Sequence, residues 1–275
     1  MPELPEVETV KNTLKLEILN KTIKCVEILY NLIDYPGVDE FKKQIKNQTI
    51  IDIKRRGKWL MFELNDYYLL SHLRMEGKYH IRKYGDKIDK HEHLIFRFND
   101  DTELRYNDTR KFGKFHLIEK DKVYKVEPLC DLGLEPWDID LNINYLKEKY
   151  KSKKLPIKTV LLNQSIITGI GNIYADEILF LSGINPLKKC NELSDLELNN
   201  IIKYTKEVLE KAIELGGTTI KSYESSEGVH GKFQNNLLVH NKDICPNCGN
   251  IINKIKVNGR GTYYCENCQK MEEIK

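Results

Sequence analysis

CPNCGNIINKIKVNGRGTYYCENC, residues Cys245–Cys268, holds two C-x2-C pairs with sixteen residues between them. The start of the chain is unlike a signal peptide, so a cytosolic protein is expected, in which thiols stay reduced and paired cysteines at this spacing indicate zinc rather than disulfides. Zn²⁺ takes four soft ligands in a tetrahedron, and each C-x2-C turn supplies two. Cys245, Cys248, Cys265 and Cys268 are therefore the expected ligands of one ion. Four thiolates leave no open coordination position, so the metal is expected to be structural. The intervening IINKIKVNGRGTYY reads as a β-hairpin with Asn258-Gly259 near its tip. Arg260 stands beside that tip, where a rigid hairpin can present it to a phosphate or leave it as an ordinary surface cation.

Upstream of the hairpin the sequence reads as helices. Leu141–Tyr150, Pro156–Gln164 and Asn172–Leu181 have helical character, and Ser194–Leu215 is a longer helix. The last opens with a capping box, Ser194 to Glu197, and stops at Gly216-Gly217. The Gly-, Ser- and Thr-rich run at Gly216–Gly231 is expected to be a mobile loop.

The first half differs. Pro5 suits a first helical position, Glu6 and Glu8 complement the helix dipole, and Val7, Val10 and Leu14 repeat at helical spacing. Short strand-like segments follow at Thr22–Tyr30, Thr49–Leu64, Tyr67–Leu73, Lys78–Tyr84, His93–Phe98 and Thr102–Tyr106, with a short helix at Val38–Lys46. Such a series argues for a sandwich or barrel. The expectation is a multidomain α+β chain: an N-terminal helix with an antiparallel β-sandwich over residues 1–131, a helical domain over 132–236, and a C-terminal zinc finger over 237–275.

Composition sets limits. The chain has 275 residues, 40% hydrophobic and 31% charged, as expected for a soluble globular protein of more than one domain. No apolar run approaches the roughly 18 residues needed to span a bilayer, and the acidic, proline-containing start is unlike a signal peptide. A cytoplasmic protein with no membrane role is expected. The net charge of +3 permits nucleic-acid binding without demanding it. Lys54, Arg55, Arg56 and Lys58 cluster, as do Lys147, Lys149, Lys151, Lys153, Lys154 and Lys158. Such clusters neutralise phosphates or form a solvated face, and charge alone does not choose. Cys25, Cys130 and Cys190 are scattered.

The opening MPELPEVETV offers a nucleophile. Removal of Met1 would leave Pro2 with a free secondary amine, and attack on C1′ of a sugar would give an iminium ion directly. An α-amine has a reference pKa of roughly 7.7–8.0 against about 10.4 for lysine, so far more of it is neutral near pH 7.5. Proline's higher basicity reduces that advantage. Glu3 or Glu6 could act as general acid if its pKa is raised. On composition alone, Pro and Glu are also simply good residues for a helix start.

Taken in order, MPELPEVETV, RRGKWL (Arg55–Leu60), HLRMEGKY (His72–Tyr79), RYNDTRKFGKF (Arg105–Phe115), GIGNIYADE (Gly169–Glu177), GGTT (Gly216–Thr219) and the finger with GRGTYYC resemble the formamidopyrimidine-DNA glycosylase family, which also contains endonuclease VIII. Leu4, where the endonuclease VIII branch has Gly, points to the oxidised-purine branch. The resemblance implies a bifunctional glycosylase and AP lyase of base excision repair, acting on 8-oxoguanine and formamidopyrimidines in damaged double-stranded DNA. It would use one zinc ion and act as a monomer in a bacterial cytoplasm, at the nucleoid. Pro2 would be the covalent nucleophile, Glu3 the acid that opens the deoxyribose, Glu6 a support for the amine, and Lys58 a phosphate-side assistant. Met75, Arg110 and Phe112 would fill the space left by a flipped nucleotide, as an adaptable filler, a partner for the orphaned cytosine and a wedge. Asn172 in a helix–two-turn–helix motif and Arg260 in the finger would hold phosphates. Lys158 and His93 are further expected DNA contacts; His93, with His91, matches a family H-x-H and also reads as a strand-edge histidine. Gly216–Gly231 corresponds to the family's lesion-recognition loop. A non-catalytic DNA-binding module and an endonuclease VIII-like enzyme for oxidised pyrimidines are the competing readings.

Overall fold

A computed structural model describes residues 1–218 and 231–271. Most of the expected lesion-recognition loop, residues 219–230, lies outside the described residues. Contacts group the chain into two compact units, Met1–Cys130 with Gly216–Gly231, and Asp131–Leu215 with Lys232–Lys275.

The first unit begins with α1 (Leu4–Ile18), which turns Val7, Val10, Leu14 and Ile18 onto the core. Two sheets follow. β1 (Ile23–Ile28), β7 (Glu92–Phe98), β8 (Thr102–Asn107) and β6 (Lys78–Lys83) form one, in that order, antiparallel throughout. β2 (Ile33–Tyr35), β9 (Lys114–Glu119), β5 (Tyr67–His72), β4 (Trp59–Glu63) and β3 (Asp52–Arg56) form the other. The β2–β9 pair is parallel, so the otherwise antiparallel sandwich has one parallel edge. The sheets share a core because alternate strand residues point inward. Val26, Phe96, Phe98 and Leu104 come from one face, and Ile53, Leu60, Phe62, Leu69, Phe115 and Leu117 from the other. The expected strand Thr49–Leu64 is in fact a hairpin, β3 to β4, with Arg56 opposite Trp59 and Gly57-Lys58 as its turn. Gly57 has φ 56, the left-handed conformation such a turn requires. α2 (Val38–Ile45) buries Phe41 and Ile45.

The second unit holds the helices and the terminal hairpin. α3 (Ile143–Tyr150) is capped by Asn142, whose side chain accepts the Tyr145 N–H. α4 (Ile157–Leu161) stops well before Gln164 because side chains take over the backbone there. Gln164 accepts the Gly169 N–H at 2.8 Å and donates to the Leu162 and Ile170 carbonyls at 3.0 and 2.9 Å. Those turns lead into α5 (Asn172–Ser182), which ends at Gly183 in the left-handed conformation. α6 (Asp195–Glu214) has the expected Ser194–Glu197 capping box and ends before Gly216 and Gly217, both at positive φ. β10 (Asn253–Val257) and β11 (Arg260–Tyr264) form the hairpin, and Asn258 and Gly259 have φ 44 and 76, as a type I′ turn demands. Phe180 of α5 packs with Val239, Ile252, Cys245 and Cys265, so α5 and the hairpin share a core. No helix among the described residues is long and apolar enough to cross a membrane.

Candidate functional site

The start of α1 is held by Glu6. Its Oε2 accepts the Glu3 N–H at 2.7 Å, and its Oε1 accepts the Thr218 N–H and hydroxyl at 2.9 and 3.1 Å. One buried carboxylate thus joins the first residues of the chain to the GGTT segment, 212 positions away. Gly217 is required there: a Cβ would meet Glu6 Oε1 at 2.7 Å, and φ is +77. Pro2, Glu3 and Glu6 are all buried. With Met1 in place the Pro2 nitrogen is a tertiary amide, so an amine nucleophile exists only once Met1 is removed.

Lys58 occupies the β3–β4 turn and is also buried. Arg55 fixes that turn against α1, donating to Glu8 Oε2 and to the Gly57 carbonyl, both at 2.9 Å. His72 lies at the end of β5, edge-on to Trp59, and its Nδ1 accepts the Arg74 N–H at 3.0 Å. Burial first, and then the charges of Arg74, Lys58 and Lys114, push the His72 imidazole down to about 3. His72 therefore stays neutral beside Arg74, Lys58 and Lys114, the last of which is ion-paired with Asp34.

Met75, Arg110 and Phe112 come together at an exposed edge of the same unit. The Arg110 guanidinium lies 3.0 Å from the Met75 sulfur and 4.8 Å from the centre of the Phe112 ring. Side chains that a soluble protein usually buries are here displayed, with Met75 40% and Phe112 49% exposed.

In the second unit, Asn172 opens α5 and its side-chain amide donates to the Gly261 carbonyl at 2.9 Å. The amide thus holds the hairpin one residue past Arg260. Asn258, at the hairpin turn, donates to the Thr159 hydroxyl of α4 at 3.0 Å. Arg260 is exposed between these two anchors, close to the helix N-terminus.

The structure reassigns two expected DNA contacts. Lys158 is not part of an exposed basic cluster: its ammonium is fully buried, ion-paired with Asp176 and donating to the Asn172 carbonyl at 2.9 Å. Asp176 also binds His240 Nδ1 at 2.6 Å. His93 is buried as well, its Nε2–H donating to the Asp108 carbonyl at 2.8 Å, behind the Arg110 turn rather than on its surface. Sequence reasoning gave Gly217 only the part of a helix stop, and Thr218 and His72 no part of their own. The GGTT and HLRMEGKY motifs were the available signals.

The four cysteine sulfurs lie within 4.8 Å of one another. The Cys245–Cys268 and Cys248–Cys265 sulfur pairs are 3.7 and 3.5 Å apart. A tetrahedral Zn–S bond of ~2.3 Å requires an edge of ~3.8 Å, so the set fits one structural zinc ion. Gln269 holds the second knuckle, exchanging hydrogen bonds with the Cys265 backbone and donating to the Ile184 carbonyl at 2.8 Å.

Comparison with known proteins agrees along the chain. Family models match residues 1–115 (formamidopyrimidine-DNA glycosylase N-terminal domain), 132–224 (formamidopyrimidine-DNA glycosylase H2TH domain) and 244–270 (zinc finger found in FPG and IleRS). A formamidopyrimidine-DNA glycosylase of Oceanobacillus iheyensis is 50% identical over 273 residues, 98% of each chain. The Lactococcus lactis Fpg in complex with abasic-site DNA is similar with a TM-score of 0.91 and 40% identity, over 98% of this chain and 100% of that one. The same protein with Fapy-dG-containing DNA gives 0.90 and 41%, with the same coverage.

Proposed function

Because this chain belongs to the formamidopyrimidine-DNA glycosylase family and is a DNA glycosylase of base excision repair, we propose that it excises oxidised purines through the amine of Pro2 and then cuts the strand. The family also has AP lyase activity. The observation that carries the reading is the Glu6 carboxylate, which fixes the Glu3 backbone and, with it, the adjacent Pro2 at a built site.

Once Met1 is gone, the Pro2 nitrogen attacks C1′ and the bond from C1′ to the base breaks, the base leaving with that bond's electrons and with the proton that the Pro2 nitrogen gives up. Glu3 protonates the ring oxygen O4′, and the ring opens as the nitrogen lone pair forms an iminium ion. The iminium draws off electrons when a C2′ proton is removed, and the C3′–O bond breaks to release the 3′ phosphate. A second elimination releases the 5′ phosphate and leaves a one-nucleotide gap, and water then hydrolyses the iminium, freeing the unsaturated sugar remnant and restoring the Pro2 amine. Lys58, with His72 near it, balances phosphate charge. Met75, Arg110 and Phe112 enter the duplex where the nucleotide leaves it, while Asn172 at the start of α5 and Arg260 hold the backbone. The single chain carries every part of this machinery, so we infer that it acts as a monomer on damaged duplex DNA, at the nucleoid of a bacterial cytoplasm.

The test is Pro2→Gly beside the wild-type chain, both freed of Met1, on a duplex carrying 8-oxoguanine. Glycine leaves a primary amine without proline's ring. Wild type is expected to excise the base and cut the strand, with faster turnover on 8-oxoguanine than on thymine glycol, and the variant to lose cleavage. Equal cleavage by both contradicts the reading.

A further inference from the structure

The turn that displays Arg110 and Phe112 is built on one buried carboxylate. Asp108 is inaccessible to solvent. Its Oδ1 accepts the Arg110 N–H at 2.9 Å, and its Oδ2 accepts the Phe112 and Gly113 N–H groups at 2.9 and 2.8 Å. Its own carbonyl takes the His93 Nε2–H, and its N–H donates to the His91 carbonyl at 2.9 Å. Lys111, between the two displayed residues, is left-handed at φ 58, with its ammonium 4.2 Å from the centre of the Tyr30 ring. Residues 108–113 are therefore held by side chains of the fold.

The Met75 turn is tied to the same point. The Thr109 hydroxyl donates to Glu76, next to Met75. Buried Tyr106 closes the gap beneath: a Cβ at Gly77 or at Gly113 would stand 2.2 or 2.1 Å from its hydroxyl oxygen. Both turns need glycine because both rest on that ring.

We propose that Asp108 is a positioning residue: it builds the Arg110–Phe112 surface before DNA arrives, with Tyr106 seating Met75 beside it, and so sets how the base opposite the lesion is read. Two features separate this from a generic loop contact. All three of the accepted N–H groups belong to the turn that carries the inserting side chains. None of the Asp108 bonds reaches the Pro2 end of the unit. The inference rests on the roles proposed above for Arg110, Phe112 and Met75. An amide at position 108 presents one oxygen where two are used, so it turns an N–H₂ group toward at least one backbone donor. Alanine removes all three bonds.

The experiment compares wild type, Asp108→Asn and Asp108→Ala, freed of Met1 and checked for cooperative thermal unfolding. The probes are duplexes with 8-oxoguanine opposite cytosine or adenine, and a single strand with a preformed abasic site. The single strand has no partner base to read and no gap to fill, so borohydride trapping on it reports the amine chemistry alone. We expect Asp108→Ala to lose about 10²-fold in duplex excision. Its cytosine-to-adenine rate ratio should fall toward one while single-strand trapping is unchanged. Asp108→Asn, which keeps the shape of the side chain, should show a smaller loss in the same pattern. A folded variant with the wild-type ratio and duplex rate overturns the proposal, as does a single-strand loss equal to the duplex loss. Failure of the wild-type chain to trap the single strand would refute the Pro2 chemistry itself, and so is told apart from failure of the positioning role.

Discussion

His72 shows how far burial alters a side chain's chemistry. Its imidazole is pushed from 6.5 down to about 3, chiefly by desolvation and then by Arg74, Lys58 and Lys114. The unfolded chain takes up a proton near pH 6.5, and the native one only near 3. Stability from the neutral ring is therefore complete above pH 6.5 and is lost as pH falls toward 3, at about 1.4 kcal/mol per pH unit. Urea midpoints of His72→Gln should follow a shallower acid slope than wild type over that window, and parallel slopes would contradict the assignment. Lys158 makes the complementary case. A lysine in a basic run reads as a surface cation, because its counterion Asp176 is 18 residues away and becomes a neighbour only on folding. Lys158→Ala leaves a buried carboxylate short of its cation and should cost about 3 kcal/mol in denaturant unfolding. The folded variant should keep the wild-type salt slope of DNA binding, whereas an exposed phosphate contact would lower it by ~0.9. A lowered slope returns Lys158 to the interface.

Among the elements, those set by local chemistry were legible in the sequence. α1 shows its Pro5 start, α6 its Ser194–Glu197 capping box, and β10–β11 its Asn258-Gly259 turn between two C-x2-C pairs. β2 and β9 were not: β2 has three residues and pairs parallel with β9, a contact no local pattern encodes, and β9 begins inside a motif read for its function. The β3–β4 hairpin was read as one strand because Gly57-Lys58 is a turn of only two residues. The family motif likewise offered Pro2 and Glu3 as candidates but not the anchor beneath them, since Thr218 meets Glu6 through a long-range fold. At this scale the zinc hairpin makes a direct prediction. Chelating the metal should release the Cys245–Cys268 knuckles, unseat Arg260 and abolish binding to abasic-site duplex, while the sandwich, with its own core, keeps its far-UV signature. A metal-free sample that binds at normal affinity would sink this account of the finger.

At the scale of the whole molecule, the chain divides its labour. One unit carries the chain start, Lys58 and the exposed Met75, Arg110 and Phe112, and the other carries the α5 N-terminus and Arg260 beside a metal-held hairpin. The covalent step depends on a nitrogen that is acylated while Met1 remains. The most direct measurement is to reduce the Met1-free chain with borohydride on an 8-oxoguanine duplex, digest both polymers and find the modified peptide by mass spectrometry. The sugar remnant should sit on the peptide that begins at Pro2, and on no other. A remnant on a lysine-containing peptide, with the N-terminal peptide unmodified, would contradict the assignment of the nucleophile.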